Sequence, residues 1–70
     1  MKLSEARIIK HLQVLDNHWN PNYWLWSGDG VLYLMRFRAD GKQAMTDFGG
    51  VDPDYIVGSF SNIINDGGGW

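Results

Sequence analysis

The chain has 70 residues, a formal net charge of -2 and no cysteine, and 44% of its residues are hydrophobic. This length predicts one small domain over residues 1–70. Folding a chain this short hides only about 60% of the surface that the unfolded chain exposes, so a large core is not expected. The absence of cysteine excludes disulfides and the usual zinc frameworks as sources of stability. We therefore expect the four tryptophans, three tyrosines and three phenylalanines to supply the packing, or each chain to borrow core from a second copy.

Charge and hydropathy also limit the classes of partner. The six lysines and arginines are scattered, whereas duplex binding needs clustered cations to neutralise phosphates. The longest apolar run, residues 31–35, is far shorter than the ~20 residues that span a bilayer. Residues 1–5 lack the apolar stretch of a secretory signal. We expect no membrane association, no nucleic acid as the main partner, and a cytoplasmic location.

A helix is predicted over residues 4–16. Ser4 suits the N-cap position, and Glu5 suits the positive end of the helix dipole. The helix is expected to end near Asn17, because the Asn-Pro-Asn of residues 20–22 favours a turn. Apolar residues recur at helical spacing between these ends. They are Ile8, Ile9, Leu12 and Leu15.

Three short strands are predicted next, over residues 23–26, 31–38 and 43–48. Residues 27–30 are expected to form a tight turn with Gly28 and Asp29 at its centre, which places Trp26 opposite Val31. Asp40 and Gly41 predict a two-residue turn of type I′, which needs positive φ at both positions. The glycines at 49 and 50 end the third strand.

A second helix is predicted to begin at Asp52 as N-cap, with Pro53 in the first helical position. Its end is expected at residues 65–69, and a glycine-rich tail is expected at 66–70. The buried face of this helix would carry Ile56, Val57, Phe60, Ile63 and Ile64. The predicted fold class is therefore α+β, in the order α-β-β-β-α, with two helices packed on one face of a three-stranded antiparallel meander.

Alternation along the strands sorts their side chains into two faces. The aromatic face carries Trp24, Trp26, Val31, Tyr33, Met35, Phe37, Ala44, Thr46 and Phe48. The opposite face carries Tyr23, Leu25, Leu32, Leu34, Arg36, Arg38, Gln43, Met45 and Asp47. We predict that the aromatic face is the core, because the charged residues lie on the other. The converse arrangement would bury the aliphatic residues and expose the aromatic ones. In both cases apolar surface stays uncovered, which is typical of a site for a partner or a second copy.

No motif indicates catalysis, a cofactor or a metal. Ser59 lies within the predicted second helix and not in the strand-turn-helix elbow of a nucleophile. Asp52 and Asp54 occupy the helix end that a phosphate would need. His11 and His18 lack the i, i+4 spacing of a helical metal site. We expect no enzyme activity, no cofactor and no metal site.

The leading hypothesis is a small protein-interaction module that self-associates or binds a protein partner through the uncovered sheet face. Trp70, on its glycine tether, is expected to fold back on the core, to insert into a partner, or to remain in a free tail. The alternative function is stacking of single-stranded nucleic acid or sugar on the aromatic face. The candidate interaction residues are Tyr23, Leu25, Leu32, Leu34, Arg36, Met45 and Trp70.

Overall fold

The computed structural model of the chain describes residues 2–65, which form one helix and one antiparallel sheet. The elements in chain order are helix α1 (Glu5–Asn17), strand β1 (Tyr23–Gly28), strand β2 (Val31–Arg36), a 3-10 turn (Pro53–Tyr55) and strand β3 (Ile56–Phe60). The sheet order is β1-β2-β3. The predicted α+β class and three-stranded antiparallel sheet are therefore confirmed, and the glycine-rich tail at 66–70 lies outside the described residues.

Helix α1 forms where the sequence predicts it. The Ser4 hydroxyl oxygen accepts a hydrogen bond from the backbone N–H of Arg7 at 3.3 Å. At the other end, the N–H of His18 donates to the carbonyl of Val14 at 3.0 Å. An N-cap of this kind contributes about 1 kcal/mol to helix stability. Both the cap and the end of the helix are confirmed.

The β1–β2 hairpin turns at Asp29 and Gly30, whose φ angles of 52° and 79° are those of a type I′ turn. Trp26 consequently lies opposite Tyr33, and Trp24 lies opposite Met35. The predicted register, with Trp26 opposite Val31, is wrong by two residues because the turn falls one residue later. A slip of two leaves each side chain on its predicted face.

The predicted hairpin at Asp40 and Gly41 differs in the structure. Only Gly41 of this pair has a positive φ, of 82°, and its N–H donates to the carbonyl of Arg38 at 2.8 Å. The type I′ assignment is therefore wrong, and the loop is of the longer kind that ends in a left-handed glycine. Phe37 faces Gln43 here, so its predicted pairing with Ala44 is wrong too.

The predicted third strand, residues 43–48, is wrong. This part of the chain makes only isolated bridges, one of which joins Met45 to Val51. The chain reverses at once, since the N–H of Thr46 donates to the carbonyl of Gly50 at 2.8 Å. Moreover, Met35 is already paired with Ile56 on that side of β2, so it does not face Thr46 as predicted.

The third strand of the sheet is β3, which occupies the segment predicted as the second helix. That helix is not present in the described residues. Asp52 does cap, its Oδ1 accepting from the N–H of Asp54 at 3.1 Å, but the helical conformation ends at Tyr55. The neighbouring β-branched residues Ile56 and Val57 disfavour a helix, and Gly58 would destabilise it by about 1 kcal/mol relative to alanine. The open edge of β2 supplies the alternative, with Gly58 opposite Leu34.

The core lies on the aromatic face, as predicted. Trp24 is 8% exposed, while Met35 and Ala44 are fully buried. The Trp24 ring packs edge-on against the Trp26 ring, with 6.4 Å between their centroids. The centroid of the Phe37 ring lies 6.3 Å from that of Trp24. The segment after β2, and no helix, contributes Phe37 and Ala44 to this core. Alternation also predicts Phe48 on this face, but Phe48 is fully exposed, so that prediction is wrong.

Arg38 fastens the segment between β2 and β3. Its Nη2 donates to the carbonyl of Met45 at 2.9 Å and to Oδ2 of Asp52 at 3.3 Å. Its guanidinium also lies 5.1 Å from the ring centroid of Tyr55. The N–H of Asp52 donates in turn to the carbonyl of Ala44 at 2.9 Å, which ties the buried alanine to the same cluster.

Candidate functional site

The face of the sheet opposite the core, here called the outer sheet face, collects most of the predicted interaction residues. Tyr23 lies opposite Arg36 across the β1–β2 ladder, and Leu25 lies opposite Leu34. On the other side of β2, Phe60 lies opposite Leu32. The large side chains of the outer sheet face are therefore Tyr23, Leu25, Leu32, Leu34, Arg36 and Phe60.

This face is apolar and partly open to solvent. Leu25 is 47% exposed and Phe60 is 44% exposed, whereas Leu32 and Leu34 are half-buried. Arg36 is the charged residue of the face and is exposed. Within residues 2–65 its side chain makes no ion pair. The outer sheet face thus presents aliphatic and aromatic surface with one available guanidinium at its end.

One of the predicted interaction residues, Met45, does not lie on this face, and one residue that does lie on it is not among those predicted. Met45 lies outside the sheet, half-buried and bridged to Val51. Trp70 lies outside the described residues. Phe60 escaped prediction because it falls in the segment assigned to a helix. Its alternation with Gly58, read as a strand, was the signal that places it beside Leu32.

The apolar stripe of α1 is also exposed. No residue of α1 is buried, so the prediction that this helix packs its apolar side on the sheet is wrong. The α1 stripe consists of four residues that share one side of the helix. These are Ile8, Ile9, Leu12 and Leu15, which are 45%, 50%, 59% and 52% exposed.

The C-terminal end of α1 lies beside the outer sheet face. A shallow groove of about 250 Å³ separates them and is lined by Val14, Leu15, His18, Trp19, Asn20, Tyr23 and Leu34. The indole N–H of Trp19 donates to the carbonyl of Tyr23 at 3.2 Å, and the N–H of Tyr23 donates to the carbonyl of Asn20 at 3.2 Å. The α1 stripe and the outer sheet face are therefore neighbours, and together we call them the docking surface.

A second, more polar cleft of about 480 Å³ lies where β1 begins and β2 ends. Its lining includes Tyr23, Arg36, Phe37 and Arg38. Arg38 is already engaged with Asp52, which leaves Arg36 as the free charge of the cleft. A single guanidinium provides neither an acid–base pair nor an activated nucleophile.

Within residues 2–65, no group of three or more His, Cys, Asp or Glu side chains is placed to hold a metal ion. No helix in the same range has the length and apolar character needed to cross a membrane. The chain matches no protein-family model, no curated protein and no solved structure.

Proposed function

We propose that the chain is a small, non-enzymatic protein-interaction module that binds a protein through the docking surface. The observation that carries the proposal is the adjacency of two apolar surfaces, one on α1 and one on the sheet, both open to solvent. Folded monomers rarely leave contiguous apolar patches larger than a few hundred Å² uncovered unless a partner binds there.

The exposure of α1 supports the same conclusion. The helix has 13 residues, and isolated helices shorter than about 12–15 residues are marginal in water. Most helical stability in proteins comes from packing of the apolar face, and α1 buries no residue within its own chain. A bound protein would supply the packing that the single chain does not.

The composition of the docking surface favours a protein over a nucleic acid or a sugar. Stacking was expected on the opposite, aromatic face and needs an open ring, but Trp24 of that face is 8% exposed and its indole N–H donates to the carbonyl of Arg36 at 3.2 Å. The large exposed side chains of the docking surface are mostly aliphatic. Such a surface matches the apolar core of a protein–protein interface.

The proposal is tested with a photo-crosslinking residue, benzoylphenylalanine, placed at Leu25 or at Val57. Leu25 belongs to the outer sheet face, whereas Val57 is the unpaired residue of the β3 bulge and is nearly as exposed, at 44% against 47%. We expect irradiation, both of the purified protein and of cells that produce it, to give a discrete protein adduct from the crosslinker at position 25 and little adduct from position 57. Adducts from neither position, or equal adducts from both, would contradict the proposal.

A further inference from the structure

We infer that the partner is a second copy of this chain, docked reciprocally so that the α1 stripe of each copy lies on the outer sheet face of the other. This inference rests on the proposed function of the docking surface and adds the identity of the occupant.

The dimensions of the two surfaces match. Helix α1 has 13 residues, and β1 and β2 have six residues each. Both the helix and the strands are therefore about 20 Å long. Three strands about 4.8 Å apart span roughly 10 Å, which is about the diameter of a helix with its side chains. One helix is thus enough to cover one outer sheet face.

The helix of the same chain does not cover this face. It approaches the sheet only at its C-terminal end, where Leu15 and His18 line the groove next to Leu34. The Trp19 indole and the Asn20 carbonyl, both bonded to Tyr23, fix the start of β1 next to that end. Leu12, in the middle of the stripe, stays 59% exposed. The stripe is therefore presented outward, where another copy can reach it.

The charges around the two surfaces are complementary. Glu5 and Asp16 flank the α1 stripe, since they lie three residues before Ile8 and four residues after Leu12. The outer sheet face carries the free guanidinium of Arg36. Packing the helix on the sheet of a second copy places a carboxylate near this cation. Packing two α1 stripes together instead brings carboxylates together, which like-charge repulsion disfavours.

Reciprocity brings the contact area into the range of specific dimers. A helix footprint of about 20 Å by 10 Å, made twice and counted on both partners, removes about 800 Å² of projected surface from water. Accessible area exceeds projected area because side chains interdigitate, so the total approaches the ~1,200 Å² at the lower end of specific interfaces. One such contact alone would fall well short of that range.

The first test is sedimentation velocity of the purified 70-residue chain, from low micromolar to near-millimolar concentration. We expect a monomer–dimer equilibrium whose Kd rises at least about a hundredfold in Leu12→Asp and in Leu25→Asp. Lys10→Asp, which places the same side chain on the other side of α1, should change the Kd less than about threefold. The NMR resonance of the Trp24 indole N–H reports whether each variant keeps the folded core.

Mixing the two monomeric variants tests the reciprocal geometry. Leu12→Asp keeps an intact sheet face and Leu25→Asp keeps an intact α1 stripe, so a heterodimer retains one intact contact where each variant homodimer retains none. Because one contact alone is weak, an equimolar mixture should associate at least about tenfold more tightly than either variant alone, but less tightly than the wild-type chain. A helix–helix or sheet–sheet dimer would gain nothing from mixing. A mixture of folded variants that associates no more tightly than either variant alone overturns the inference.

The inference also fails if the wild-type chain is a monomer at all concentrations. If Leu25 then crosslinks only to a different protein, the proposed function stands and the second copy is excluded as its partner. If Leu25 crosslinks to nothing, both fail. An adduct between two copies through Leu25, reaching residues of α1, supports both.

Discussion

At the scale of single residues, Gly28 shows how closely the aromatic core is packed. A Cβ atom on Gly28 would lie 2.6 Å from Nε1 of Trp26, well inside van der Waals contact. The Trp26 ring packs edge-on against the buried Trp24, so it cannot rotate away without disturbing the core. Glycine at this position is therefore required by the neighbouring ring and not by a positive φ.

We predict that Gly28→Ala lowers the free energy of unfolding by about 1–2 kcal/mol, the usual range for a small overpacking. Gly50→Ala is the matched control, because its Cβ would meet only Thr46 Oγ1 at 3.6 Å, an ordinary contact. Urea denaturation followed by tryptophan fluorescence measures both variants. Equal losses in the two would show that the Trp26 contact does not restrict position 28.

The same contrast explains which residue roles were predictable. Ser4 caps the predicted helix, and Asp52 caps at the predicted position although only a 3-10 turn follows it, because a cap depends only on the next two or three residues. The contact between Gly28 and Trp26 depends on how one ring is oriented over a hairpin, and no local pattern encodes that. Alternation predicts Phe48 in the core, but the strand on which that alternation depends does not form.

At the scale of elements, β3 shows where a helical signal failed. The Asp-Pro start at residues 52–53 is real, but it begins only a 3-10 turn. Spacing alone does not separate a short apolar run in a strand from one in a helix. The unpaired edge of β2 stabilises Ile56–Phe60 as a strand, because it supplies backbone hydrogen-bond partners that the isolated segment lacks. Tertiary pairing therefore overrode the local start signal.

The segment between β2 and β3 has no regular strand, and the side-chain contacts of Arg38 supplement its isolated bridges and backbone hydrogen bonds. We predict that Arg38→Lys lowers the free energy of unfolding by about 1–2 kcal/mol. Lysine keeps the charge, but its single ammonium does not reproduce the planar stacking on Tyr55 together with bonds to Asp52 and the Met45 carbonyl.

Arg36→Lys is the control for this substitution, because Arg36 is exposed and makes no ion pair within residues 2–65. It should change the stability of the monomer by less than about 0.5 kcal/mol. The comparison is made by urea denaturation at low protein concentration. Equal stability of the two lysine variants would mean that Arg38 does not fasten the segment.

At the scale of the whole molecule, the chain divides into a packed part and an unpacked part. The buried residues belong to the sheet and to the segment after β2, while α1 buries none. The sheet half of the docking surface was predictable, since the alternation of Tyr23, Leu25, Leu34 and their neighbours survives a two-residue slip in register. The exposure of the α1 stripe was not predictable, because apolar spacing on a helix indicates that one side is buried but not which surface buries it.

This division predicts unequal amide hydrogen exchange. Amides of residues 12–17 should exchange orders of magnitude faster than the paired amides of Tyr33 and Met35 in dilute protein, because few contacts oppose opening of α1. Raising the protein concentration should slow exchange in α1 as the stripe becomes covered, with a smaller effect on the central strand. NMR-detected exchange at two concentrations measures this, with Leu12→Asp as the control that should show no concentration dependence. Protection of α1 equal to that of β2 at low concentration would contradict the division, since it would require packing within the single chain.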